Sequence, residues 1–158
     1  MGFFSRTFDS DMLYGDSISP TRDDGQNSES RPDTTAILAE IDIDTAIAAH
    51  ENWKLRLQNY LNGKSTEDLR PELVCLDDRC DLGKWLHGTG KMRLGSYPAF
   101  SVLVARHKYF HVQASSVVAL AQAGERDKAD LALATSYRHA SNQVVLLLKE
   151  LKLGLAPR

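Results

Sequence analysis

Three stretches of this sequence place apolar side chains every three or four residues, and none sustains the every-second-residue alternation of a strand. Between residues 34 and 62 the positions are Ile43, Ala46, Ile47, His50, Trp53, Leu57, Tyr60 and Leu61. Between 96 and 123 they are Phe100, Leu103, Val104, His107, Phe110, His111, Ala114, Val117 and Val118. From 126 to 152 they are Leu131, Ala134, Tyr137, Ser141, Val144, Leu148 and Leu151. Side chains three and four apart share one face of a helix, so each stretch predicts a long amphipathic helix. The punctuation agrees. Asp33, after Pro32, suits an N-cap and Gly63 a C-terminal stop; Ser96 suits a cap, with Pro98 in the first turn and Gly124 at the end. A shorter helix is predicted over Asp81–His87, closed by Gly88 and Gly90. Residues 64–79 read as a long connection with at most a helical turn. No Asn-Gly or Asp-Gly hairpin turn separates two apolar runs. The predicted fold is all-α: an antiparallel four-helix bundle of three long helices and one short one, with a disordered N-terminal tail.

Composition sets the limits. A length of 158 residues is that of one domain, and 42% hydrophobic with 25% charged residues is ordinary for a packed globule. A net charge of −2 lacks the positive excess of a nucleic-acid binder. No apolar run approaches the roughly 18 residues of a membrane span, so no membrane insertion is expected. Two cysteines cannot make a disulfide framework. Charge is uneven, however: residues 1–33 carry seven acids and three arginines, a net of −4, which leaves +2 on the other 125. From Ser17 to Asp33 the only large apolar side chain is Ile18, too little to offset chain entropy. Residues 1–33 therefore read as a disordered acidic tail and 34–154 as the bundle. Phe3, Phe4, Phe8, Met12, Leu13 and Tyr14 are either sticky residues of that tail or a short docking peptide. The tail has neither the pattern of a signal peptide nor, with Arg6 where Ser or Thr is required, that of myristoylation. A cytoplasmic location is expected.

The histidines carry the chemistry. His107 and His111, four apart on an apolar stripe, sit one turn apart on one helix face, close enough to share a metal ion. Alone, such a pair also suits a hydrogen-bonded core histidine beside a surface one. His50 falls at the centre of the stripe of Ala46, Trp53 and Leu57. Three inward imidazoles on two helices each need a partner for both nitrogens, which a core seldom supplies. Cys80, at the start of the short helix, is the fourth candidate. A helix N-terminus favours thiolate, the form that binds metal. Three imidazoles and one thiolate form a tetrahedral set suited to zinc. Asp77, Asp78 and Asp81 flank Cys80 as charge moderators or as solvated acids. His87, seven residues after Cys80, is a reserve ligand, and His139 points to solvent. Cys75 is a small buried residue, a disulfide partner or a resolving thiol.

The blocks His50-Glu51-Asn52-Trp53-Lys54, Cys80-Asp81-Leu82-Gly83-Lys84-Trp85-Leu86, Tyr97-Pro98-Ala99-Phe100 and His107 to His111 resemble the chemoreceptor zinc-binding (CZB) domain. The ligand pattern is H-x29-C-x26-H-x3-H. Ala123-Gly124-Glu125 through Ala129, with Tyr137, Ala140-Ser141 and Val144, resembles the family's closing helix, so the likeness spans about residues 36–152. It implies a helical bundle holding Zn2+ through His50, Cys80, His107 and His111. Members of this family are commonly homodimers attached to bacterial chemoreceptor or diguanylate cyclase domains. They sense zinc and, in some cases, oxidants such as hypochlorous acid through the zinc-bound thiolate. Neither kind of output domain is present in these residues, so the expected partner is a chemoreceptor or cyclase acting in trans, or the chain is a free-standing sensor. Gly83 is expected to allow close helix approach, and Trp85, Trp53 and Phe100 to pack in the core; Lys84 either pairs with an acid or lies at the surface. An enzyme is not expected, because Cys80 fills the position a catalytic zinc keeps open for water. A purely structural zinc in a helical interaction module is the remaining alternative.

Overall fold

The computed structural model describes residues 33–156, so the expectations for residues 1–32 lie outside the described residues. The elements are α1 (Thr34–Glu40), α2 (Ile43–Leu61), α3 (Pro71–Val74), α4 (Asp81–His87), α5 (Thr89–Leu94), α6 (Pro98–Gln122), α7 (Arg126–Ala132), a π-helical turn (Leu133–Tyr137) and α8 (Arg138–Leu155). No strand occurs among the described residues. The protein is an all-α bundle, with more short helix in its connections than the sequence suggested.

Local chemistry explains the differences. The stretch expected as one helix from 34 is broken at Ile41, which is extended (φ −138, ψ 128). Asp42 then caps a new helix, its side chain accepting from the Thr45 amide at 3.0 Å, as Asp33 does from Ala36 at 3.1 Å. Ser96 does not cap α6. Tyr97 occupies the N-cap position without a side-chain bond, and Pro98 opens the helix, where its missing N–H costs nothing. Gly88 does break the chain, but helix resumes immediately as α5. Gly63 and Gly124 (φ +68 and +76) end α2 and α6 in the left-handed conformation that glycine adopts freely.

The core lies where α2, α6 and α8 pack on one another, with α3 against α6. Leu57, Leu103, Phe110, Val117, Val144 and Leu148 are fully buried there. The last helix corrects one expectation: Leu131 and Ala134 face outward, and Ala129 and Leu133 are buried instead. The π turn takes an extra residue per turn, so the stripe read back from Tyr137 slips out of phase. Trp85 is buried edge-on against Phe100, and its Nε1–H donates to Glu40 Oε2 at 3.3 Å. Arg93 pairs with the same carboxylate at 2.6 Å, which fastens α1 to α5.

Candidate metal centre

The long helices supply three imidazoles. His50 on α2 is 2% exposed, His107 on α6 is 0% and His111, one turn on, is 4%. Cys80 arrives from the connection, as the N-cap of α4. Its Sγ accepts from the Gly83 amide at 3.3 Å. One ligand atom from each of these four residues lies within 4.8 Å of the other three. Sγ is 3.3 Å from Nε2 of His107 and 3.7 Å from Nε2 of His111, and those two nitrogens are 3.2 Å apart. The sequence-predicted quartet is thus brought together.

Backbone carbonyls fix two of the rings. His50 Nδ1 lies 2.7 Å from the Ala46 carbonyl and His111 Nδ1 2.9 Å from that of Val74. A carbonyl only accepts, so both Nδ1 atoms carry the proton and both Nε2 atoms keep a lone pair. Nε2 of His50 has no hydrogen-bond partner, nor does Nδ1 of His107, and both are buried. Phe110 closes the site from below, its ring edge-on to His50 and His111. Several lone pairs converging among buried side chains repel one another unless a proton or a cation sits among them.

Burial pushes all three imidazoles down. His107, also beside the other histidines, falls to about 2. His50 is lowered by desolvation, partly offset by the Ala46 carbonyl. His111 is lowered by the same cause, offset by the Val74 carbonyl and the Asp77 carboxylate. All three rings are therefore neutral at pH 7, the form that binds metal. Cys80 behaves differently from expectation. Its place at a helix N-terminus predicts a depressed thiol, yet burial pushes it up, more than the Gly83 and Leu82 amides pull it down. No cation among the described residues offsets that burial at the thiol.

Of the other candidates, His87 is not in the cluster; it bonds Asp77 at 2.9 Å. His139 is exposed as expected, and so are Lys84, Asp78 and Asp81. Cys75 is half-buried and free, its thiol directed at the Glu72 carbonyl. Trp53 is half-buried rather than core, with Arg56 stacked 3.8 Å over its ring. Gly83 does permit a close approach, because a Cβ there would run into the Asp77 carbonyl. The Ala46 and Val74 carbonyls were not anticipated. Ala46 could have been, since it stands four residues before a helical His; Val74 is 37 residues from His111 and left no local signal. An open cleft of about 980 Å³ between α2 and the 73–89 segment reaches His50, Cys80 and His111, while His107 lies behind them.

No helix among the described residues is long and apolar enough to cross a membrane. No curated protein and no solved structure matches the chain. The family model described as Chemoreceptor zinc-binding domain matches residues 50–118, a segment that opens on His50 and contains Cys80, His107 and His111. The likeness of the closing helix lies beyond that segment. That family is one of regulatory zinc-binding domains, and residues 50–118 of the chain are similar to it.

Proposed function

We propose that the protein is a zinc-binding regulatory module of bacterial signalling whose ligands are His50, Cys80, His107 and His111. The observation that carries this reading is the quartet itself: four soft or borderline donors converge, and two are already oriented by backbone carbonyls as metal-bound histidines usually are. The spacing suits zinc. Bonds of roughly 2.0–2.1 Å to nitrogen and 2.3 Å to sulfur set tetrahedral edges of about 3.3 Å between nitrogens and about 3.6 Å from nitrogen to sulfur. The separations found are 3.2 Å between the His107 and His111 nitrogens and 3.3 and 3.7 Å from these to the Cys80 sulfur, with the His50 atom within 4.8 Å of the others. Zinc bound by these four residues would supply the positive charge that favours the Cys80 thiolate, the thiol proton leaving to solvent.

Zinc held there ties α2, α6 and the 71–87 segment together, so occupancy sets their mutual positions. Cys80 borders the cleft, where an oxidant can reach the thiolate and convert it to a sulfenate, a weaker ligand. This accessibility favours sensing over a permanent structural zinc. A second copy of the chain, and a chemoreceptor or diguanylate cyclase in trans, complete the reading. Val102, Tyr109 and Val112 share an exposed face of α6 that offers a second helix apolar surface.

The test is metal content after purification without added zinc. The wild type is expected to hold one equivalent per chain. Cys80→Ala is expected to keep its helical circular dichroism and lose most of the metal. Unchanged metal in the variant removes Cys80 from the ligand set. A competition titration against a calibrated chelator separates the alternatives: a dissociation constant far below free zinc levels, with an oxidant-inert thiol, establishes a structural site.

A further inference from the structure

Of the two histidines that the ligand set leaves over, His87 has a position that gives it a task. It closes α4, the helix that Cys80 opens. Its Nε2 lies 2.9 Å from Asp77 Oδ2, so the bond crosses from the end of α4 back to the turn that delivers the cysteine. Asp77 is held there twice. Its carbonyl packs on Gly83, where there is no room for a Cβ, and its carboxylate is only 18% exposed. Three residues before Asp77, the Val74 carbonyl accepts from His111, so the segment is also pinned at its start. Between those two anchors and the Gly83 amide, residues 75–80 have little freedom, and Cys80 Sγ faces the histidines.

We propose that Asp77 and His87 are a positioning pair: their hydrogen bond holds the Cys80 turn against the three histidines and thereby governs how readily the thiolate leaves the metal. This rests on the ligand assignment above and adds to it a second layer that decides exchange. Partners beyond the ligands typically change metal affinity by about 10- to 100-fold. Here the effect falls on one ligand, the only one carried by a short connecting segment.

The experiment uses the whole chain loaded with zinc or with cobalt. Zinc release to a chromogenic chelator is timed for the wild type, His87→Ala and His87→Gln, since Gln can place its amide N–H where Nε2 stands. His87→Ala is expected to release zinc about 10-fold faster, with His87→Gln within about threefold of the wild type. In the cobalt form the thiolate-to-metal absorption band should weaken in His87→Ala and recover in His87→Gln. A loss of general packing would produce neither the selective band change nor the rescue. Asp77→Asn gives an independent check, and is expected to lie between the two. Wild-type release and an undiminished band in His87→Ala overturn the proposal, as does equal acceleration in the Ala and Gln variants. A wild type that takes up no metal overturns the ligand assignment, and this inference with it.

Discussion

The two sources of the quartet differ in kind. His50, His107 and His111 stand on helices of 19 and 25 residues, their rings buried and packed against Phe110 and one another. Cys80 caps a helix of seven residues, is half-buried, and reaches the others through a connection with one short helical turn. The histidines are thus preorganised by the bundle core. The thiol depends on a handful of local contacts: the Gly83 amide, the Asp77 carbonyl against Gly83, and the His87 bond. Such a division suits a responsive site, because one ligand can move without dismantling the fold. Low-stability connecting segments are where such motion is cheapest.

Substitutions on each side put that division to the test. The largest effect is expected for His107→Ala. It removes a fully buried ring from the core as well as a ligand, so metal is lost and the metal-free protein is destabilised by about 2–4 kcal/mol, read as a drop in Tm. Cys80→Ala should lose the metal with little change in metal-free Tm. If both variants melt alike, the two sources are not distinct.

Gly83→Ala comes next. The added methyl meets backbone and cannot be relieved by a side-chain rotation, so the turn must shift and carry Cys80 away. Zinc affinity should fall by about 10- to 100-fold while helicity stays, measured by chelator competition and circular dichroism. Unaltered affinity would show that the turn adapts more freely than its contacts suggest.

Acid sharpens the histidine side. Each imidazole has a folded pKa below its ordinary value, so the unfolded chain takes up protons first. Stability of the metal-free protein should be full above about pH 6.5 and fall as pH drops below it. The slope is about 1.4 kcal/mol per pH unit for each ring that refuses its proton, and the loss continues toward the His107 value of about 2. Denaturant midpoints across pH 7 to 4.5 measure it; a flat profile would mean the rings accept protons when buried. The smallest effect belongs to His139→Ala, an exposed residue outside the site, expected to change stability by less than about 0.5 kcal/mol and metal content not at all. A measurable metal loss there would extend the centre to α8.

Much of this was legible because helical spacing is local information. The stripes of α2 and α6 place His50, His107 and His111 inward without knowledge of any partner, and the glycines at 63 and 124 stop helices by their own backbone freedom. Gly83 and Trp85 could be marked as close-packing residues, though not what they would meet. The phase of Leu131 and Ala134 was misread because a π turn leaves no mark in a hydrophobic pattern.

By itself the sequence determined the all-α class, the inward faces of three histidines and a cysteine at a helix start, since each follows from periodicity or capping within one segment. Only the tertiary structure decided the rest. It set the Cys80 thiol high rather than low, because desolvation by residues far along the chain outweighs the amides of its own helix. It chose the tautomer of His111 through the Val74 carbonyl, 37 residues away. It turned His87 away from the cluster and onto Asp77, ten residues back. Burial and hydrogen-bond partners are properties of what packs around a residue, and for these residues most of that comes from distant parts of the chain.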